Sequence, residues 1–137
     1  MRREIELTIW YYILHMFEQK RRHKRIPIAA ATTLRFRGKE HGAPPLETMV
    51  GSISVSGIGL YTDKHVEKDA DIFLEIRFIS VDGSMYHESI GGKIVYINDI
   101  AGINYIGVEF DELINPAGQP HLYKHLFTVM KSSVNEA

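Results

Sequence analysis

Apolar and polar positions alternate most cleanly between Asp71 and Val81, where Ile72, Leu74, Ile76 and Phe78 interleave with Phe73, Glu75 and Arg77. A period of two sends the two sets to opposite faces of a strand, so this segment predicts a half-buried strand. Asp82-Gly83 follows, a strong hairpin signal, and Met85–Ile97 is the expected return strand. Gly91-Gly92 interrupts it and predicts a bulge. Asn98–Gly102 reads as a short turn and Ile103–Phe110 as the last strand. Upstream, Ile28–Phe36 reads as the first strand, and Gly38–Leu46, with Gly42, Pro44 and Pro45, as a loop. Thr48–Ser56 reads as the next strand. Gly57 and Gly59 break it before Ile58, Leu60 and Tyr61 resume, and Asp63–Asp69 is a polar connection.

The two ends follow another period. Ile5, Ile9, Ile13 and Met16 or Phe17 recur at helical spacing, with Glu4 and Glu6 near the start and Lys20 near the end, as a helix dipole favours. The alternation of Glu4, Glu6 and Thr8 with Ile5, Leu7 and Ile9 also fits a strand; the apolar pattern runs too long for one ordinary strand, which favours helix over residues 1–19. The face of such a helix covers either its own domain or a second copy, giving a homodimer, and both remain open. Past Pro116 and Pro120, Leu122, Leu126, Val129 and Met130 return to helical spacing, followed by a polar tail, 131–137. Helix, about six short strands and helix make a mainly β chain, with the strands forming a small closed barrel or sandwich.

A length of 137 residues suits one domain. The formal net charge of −1 argues against bulk polyanion binding. With no cysteine, disulfides and thiolate metal sites are excluded. Met1-Arg2-Arg3 before an apolar run imitates a secretory signal, but Glu4 and Glu6 occupy the basic region and six consecutive basic residues, 20–25, follow the run. That run is also short of the roughly 20 residues of a membrane span. The expectation is a cytoplasmic protein without a membrane span.

The positive charge concentrates in Lys20-Arg21-Arg22-His23-Lys24-Arg25. A basic run of this kind is most often a solvated linker. Here, however, Arg21 and Arg25 stand four apart directly before a strand, and Ser52-Ile53-Ser54-Val55-Ser56-Gly57 follows about one hairpin later. This combination resembles the PilZ domain, a bacterial receptor module for cyclic di-GMP, whose signatures are Arg-x-x-x-Arg and Asp/Asn-x-Ser-x-x-Gly. Gly92-Lys93-Ile94-Val95-Tyr96 and Ile106-Gly107-Val108-Glu109-Phe110 resemble later strands of the family. The resemblance covers about residues 20–130 and implies a six-stranded antiparallel barrel with a C-terminal helix.

It also implies a ligand and a site. An arginine fork matches phosphate oxygens and the O6/N7 edge of guanine, so Arg21 and Arg25 are the expected main contacts, with Arg22 as a further donor. Ser52 and Ser54 offer hydroxyls to a base edge, and Gly57 lets backbone approach the ligand. Tyr96 stands where the family often has an aromatic beside the ligand; it either stacks on a base or is a barrel-surface tyrosine. Ser52 departs from the family's Asp or Asn. Hydrogen bonds to charged groups are worth about 1.5–3 kcal/mol against about 1 for neutral ones, which predicts binding about tenfold weaker than for a consensus member.

Other chemistry finds less support. His121 and His125 share a helical face at zinc-ligand spacing, but no glutamate adjoins His121, so no metal site or cofactor is expected. No nucleophile elbow, phosphate-binding glycine loop or framed carboxylate pair is present, so the chain is not expected to be an enzyme. A basic arm beside a small barrel can bind single strands, but without a wider basic stripe a nucleic-acid polymer is not expected. The resemblance implies a cyclic di-GMP receptor that relays the signal to an unidentified protein partner; the alternative is a degenerate adaptor acting through protein contacts alone.

Overall fold

The computed structural model describes residues 23–38 and 42–136. The segment 1–19, with the helix and the dimer or partner contact expected of it, lies outside the described residues, as do Arg21 and Arg22.

Six strands and one helix follow in order: β1 (Ala30–Phe36), β2 (Leu46–Ile53), β3 (Gly57–Thr62), β4 (Asp71–Ile79), β5 (Met85–Ile100), β6 (Ile103–Phe110) and α1 (Pro120–Glu136). The strands close into a barrel in the order β1-β2-β3-β6-β5-β4, every pair antiparallel. Closure leaves no unpaired edge. Along β4 the alternation operates as expected: Ile72, Leu74, Ile76 and Phe78 are at most 1% exposed, while Phe73 faces outward. They meet Leu34, Ile53, Ile58, Leu60, Ile94, Ile106 and Val108 in one core, into which α1 packs Leu122 and Leu126. The helix continues through most of the segment expected as a polar tail.

The β4–β5 hairpin turns at Asp82-Gly83, where Gly83 takes φ 82° and Ser84 N–H donates to Asp82 Oδ1 at 2.8 Å. The bulge of β5 falls elsewhere than expected, between Ile94 and Tyr96 against β6. Gly91 and Gly92 serve a different need, because a Cβ on Gly92 would come within 2.7 Å of the Glu109 carbonyl and one on Gly91 within 2.6 Å of Asp111 Oδ2. Strand β5 also runs three residues past the expected end: Asn98, Asp99 and Ile100 pair with Tyr105, Asn104 and Ile103, leaving Ala101-Gly102, both with positive φ, as the turn.

Candidate ligand-binding cleft

The cleft begins where the chain enters the barrel. Pro27 disfavours helical geometry at Ile26, and Ile26 instead forms a bridge to Ile53, the last residue of β2. Its N–H donates to the Ile53 carbonyl at 2.8 Å and its carbonyl accepts from Ile53 N–H at 2.9 Å. With Ile26 only 2% exposed, the bridge is anchored in the core. Arg25, one residue earlier, is thereby delivered to the start of β3: a Cβ on Gly57 would lie 3.4 Å from Arg25 Nη2 and 2.5 Å from the Val108 carbonyl oxygen. Gly57 is required for that close approach.

The turn before Gly57 is built by Ser54. Its backbone N–H donates to the Gly57 carbonyl at 2.8 Å. Its hydroxyl accepts from Ser56 N–H and Gly57 N–H, each at 3.2 Å. Ser54 is 2% exposed, so the hydroxyl stands behind the turn and shapes it, while Ser56 and Gly57 face the cleft.

A cleft of about 740 Å3 opens here. His23 and Arg25 line it with Ser56 and Gly57 at the turn, Gly107 and Tyr105 on β6, and Tyr96 on β5; Glu109, Asp111 and Glu112 line it as well, Glu109 directly opposite Gly57 across the β3–β6 pair. Asp111 is held there by Arg37, whose Nη2 donates to Asp111 Oδ2 at 3.0 Å and to the Gly92 carbonyl at 3.2 Å. Burial, with Tyr105 adding a smaller effect, pushes the Tyr61 and Tyr96 phenols above the ordinary tyrosine value, so both keep their proton and remain donors.

Of the residues expected at the site, Arg25, Gly57 and Tyr96 come together around this cleft. Ser54 supports it from behind. Ser52 lies on the same cross-strand row as Tyr96, a row that reads Ser52, Gly59, Gly107, Tyr96 across β2, β3, β6 and β5, but it does not line the cleft. Three tyrosines lean over glycines on neighbouring strands in this face. A Cβ on Gly51 would meet Tyr61 Cε2 at 2.7 Å, one on Gly59 would meet Tyr105 Cζ at 2.8 Å, and one on Gly107 would meet Tyr96 Cβ at 3.1 Å. Sequence reasoning passed over Ser56, Tyr105 and Gly107. Ser56 was legible inside the Ser-rich motif, whereas the Tyr105–Gly59 contact follows only from strand register.

His121 and His125 serve the packing of α1. The His121 ring stacks on Tyr86 with centroids 3.8 Å apart, and its Nδ1 lies 3.1 Å from Glu88 Oε2. His125 is buried against Phe78. Among the described residues no three His, Cys, Asp or Glu side chains converge as metal ligands, and no helix is long and apolar enough to cross a membrane.

These features define a small antiparallel barrel with a ligand-sized cleft beside its entry arm. A model of the PilZ domain matches residues 19–127, and the chain belongs to the PilZ domain family. Among solved structures it is similar to Bacillus subtilis MotI/DgrA, an inhibitor of motility (TM-score 0.65, 13% identity), covering 84% of this chain and 52% of that one. It is also similar to the PilZ domain of Escherichia coli YcgR with c-di-GMP (TM-score 0.56, 14% identity; 85% and 95% covered). A third is the K. pneumonia MrkH–c-di-GMP complex (TM-score 0.53, 17% identity; 85% and 55% covered). The chain spans about half the length of MotI/DgrA. No curated protein sequence matches it.

Proposed function

We propose that this chain is a receptor for cyclic di-GMP, bound in the cleft beside Arg25. Arg25 takes a phosphate or the O6/N7 edge of a guanine through its guanidinium fork. Gly57 and Ser56 let the ligand approach the β2–β3 turn, and Tyr96 offers a ring to a base. Arg21 and Arg22 complete the arm from outside the described residues. The observation that carries the reading is the delivery of Arg25 to Gly57, at the mouth of a cleft of about 740 Å3. Family membership supports it, and c-di-GMP is the ligand named for the similar YcgR and MrkH structures. The role is that of a binding module without catalysis.

Because Arg25 stands between residues 1–22 and the barrel, a ligand that grips it acts on the junction between them, and an unidentified protein partner reads the result. Calorimetric titration of cyclic di-GMP into the wild type and Arg25→Ala tests the receptor reading. Micromolar binding by the wild type that disappears in the variant supports it; a wild type silent up to millimolar ligand overturns it. One observation favours a second reading, an adaptor acting through protein contacts alone: Ser52 replaces the family's Asp or Asn and does not line the cleft. A silent titration together with self-association abolished by Trp10→Glu, a change on the apolar side of the helix expected over residues 1–19, would select it.

A further inference from the structure

Tyr61, Tyr105 and Tyr96 share one structural device, since each ring covers a glycine on a neighbouring strand, and an aromatic over a glycine supports a sheet without any ligand. Tyr61 covers Gly51 and packs on the Tyr105 ring, centroids 5.0 Å apart at 52°, and does not line the cleft. Tyr105 does something more: its ring lies over Gly59 and also lines the cleft. Gly59 sits in the cross-strand row between Ser52 and Gly107. With strands about 4.8 Å apart, Ser52 is about 10 Å from Gly107, and the Tyr105 ring covers the strand between them. The cleft therefore ends at Tyr105 and does not reach Ser52. On the cleft side, Tyr105 and Tyr96 have ring centroids 6.4 Å apart at an interplanar angle of 69°. Two rings at that angle make a corner in which a planar base can stack on one and meet the edge of the other.

We propose that Tyr105 is a base-stacking residue of the cleft: one guanine stacks on its ring, which at the same time bars the ligand from Ser52. The proposal rests on the cyclic di-GMP reading. It replaces hydrogen-bond readout by position 52 with stacking, a contact any purine face can make. Gly59 is the positioning residue, because any side chain there would displace the tyrosine.

The test is calorimetric titration of cyclic di-GMP into the full chain carrying Tyr105→Phe, Tyr105→Leu, Gly59→Ala or Ser52→Asp, with melting temperatures alongside. Tyr105→Phe keeps the ring and is expected within threefold of wild type. Tyr105→Leu still covers Gly59 but lacks a π face, so it is expected to bind roughly tenfold to a hundredfold more weakly, the range of a lost base–aromatic stack. Gly59→Ala is expected to weaken binding likewise, by moving the ring. Ser52→Asp is expected to stay within twofold. Tyr105→Leu binding as the wild type does, while Arg25→Ala abolishes binding, would overturn the role of Tyr105 and leave the receptor reading intact. A tenfold gain in Ser52→Asp would refute the barrier. A wild type that binds nothing removes the receptor reading itself.

Discussion

Helix α1 has no acidic residue in its first turn, yet its N-terminal donors are fully accounted for. Pro120, the first helical residue, has no N–H, as suits that position. His121 N–H donates to Glu88 Oε2 at 3.0 Å and Leu122 N–H to Glu88 Oε1 at 2.7 Å, while Tyr123 N–H reaches the Gln119 carbonyl at 2.9 Å. Strand β5 thus supplies, through one carboxylate whose side chain is 9% exposed, the cap that helices usually find in their own sequence. Losing a single N-cap acceptor costs about 1 kcal/mol, and hydrogen bonds to a charged acceptor are worth about 1.5–3 kcal/mol each. Because His121 is exposed, water can replace part of what is lost there, which keeps the total below the sum of two charged bonds. Glu88→Ala is therefore expected to cost about 2–3 kcal/mol, or ~6–9 °C in melting temperature at this chain length. Glu88→Gln keeps one acceptor oxygen but turns an NH2 toward the second N–H, and is expected to lose about half as much. Urea unfolding followed by far-ultraviolet circular dichroism reads both variants. If Glu88→Ala unfolded within ~0.5 kcal/mol of wild type, the helix would not depend on β5 for its cap.

Three further outcomes follow from the geometry. Gly57→Ala pushes a methyl to within 2.5 Å of a backbone oxygen that has no room to yield; it should cost about 1–3 kcal/mol in urea unfolding and lower nucleotide affinity with it. Ala101 holds φ 53° in the β5–β6 turn beside Gly102, a left-handed conformation that asparagine adopts at lower cost than alanine. Ala101→Asn should accordingly raise the melting temperature by about 2–4 °C, and an unchanged or lower value would refute that account of the turn. Burial lowers the His125 pKa from the ordinary value of 6.5, so the unfolded chain takes up that proton more readily than the folded one. Stability should fall as pH drops below about 6.5 and level off once the folded group also protonates. His125→Leu should remove that part of the pH profile, and a profile left unchanged would show that another group is responsible.

Local periodicity made the strands legible, while the features that need register were not. The β4 alternation and Asp82-Gly83 gave the β4–β5 hairpin directly, because both signals lie within a few residues. Gly91-Gly92 read as a bulge for want of the knowledge that Glu109 and Asp111 lie against them; close approach and irregular pairing call for the same residue. The end of β5 was placed early because Asn98 and Asp99 are turn-forming residues, and pairing with β6 overrode that preference. At the site, three of the residues the sequence names, Arg25, Gly57 and Tyr96, line one cleft, while Arg21 and Arg22 lie outside the described residues. The sequence names Ser52 and Ser54 alike as contacts; in the structure the Ser54 hydroxyl is buried in the turn, and Ser52 is not among the residues lining the cleft. Nothing local connects Tyr105 with Gly59; the contact exists only because β3 and β6 are neighbours.

The most direct test of the central claim is an amide and tyrosine-ring NMR titration of the labelled full chain with cyclic di-GMP. The account predicts saturable shifts concentrated at Arg25, Ser56, Gly57, Tyr96, Tyr105 and Gly107, with Ser52 moving little. Shifts absent up to millimolar nucleotide, or centred on another face of the barrel, would contradict it.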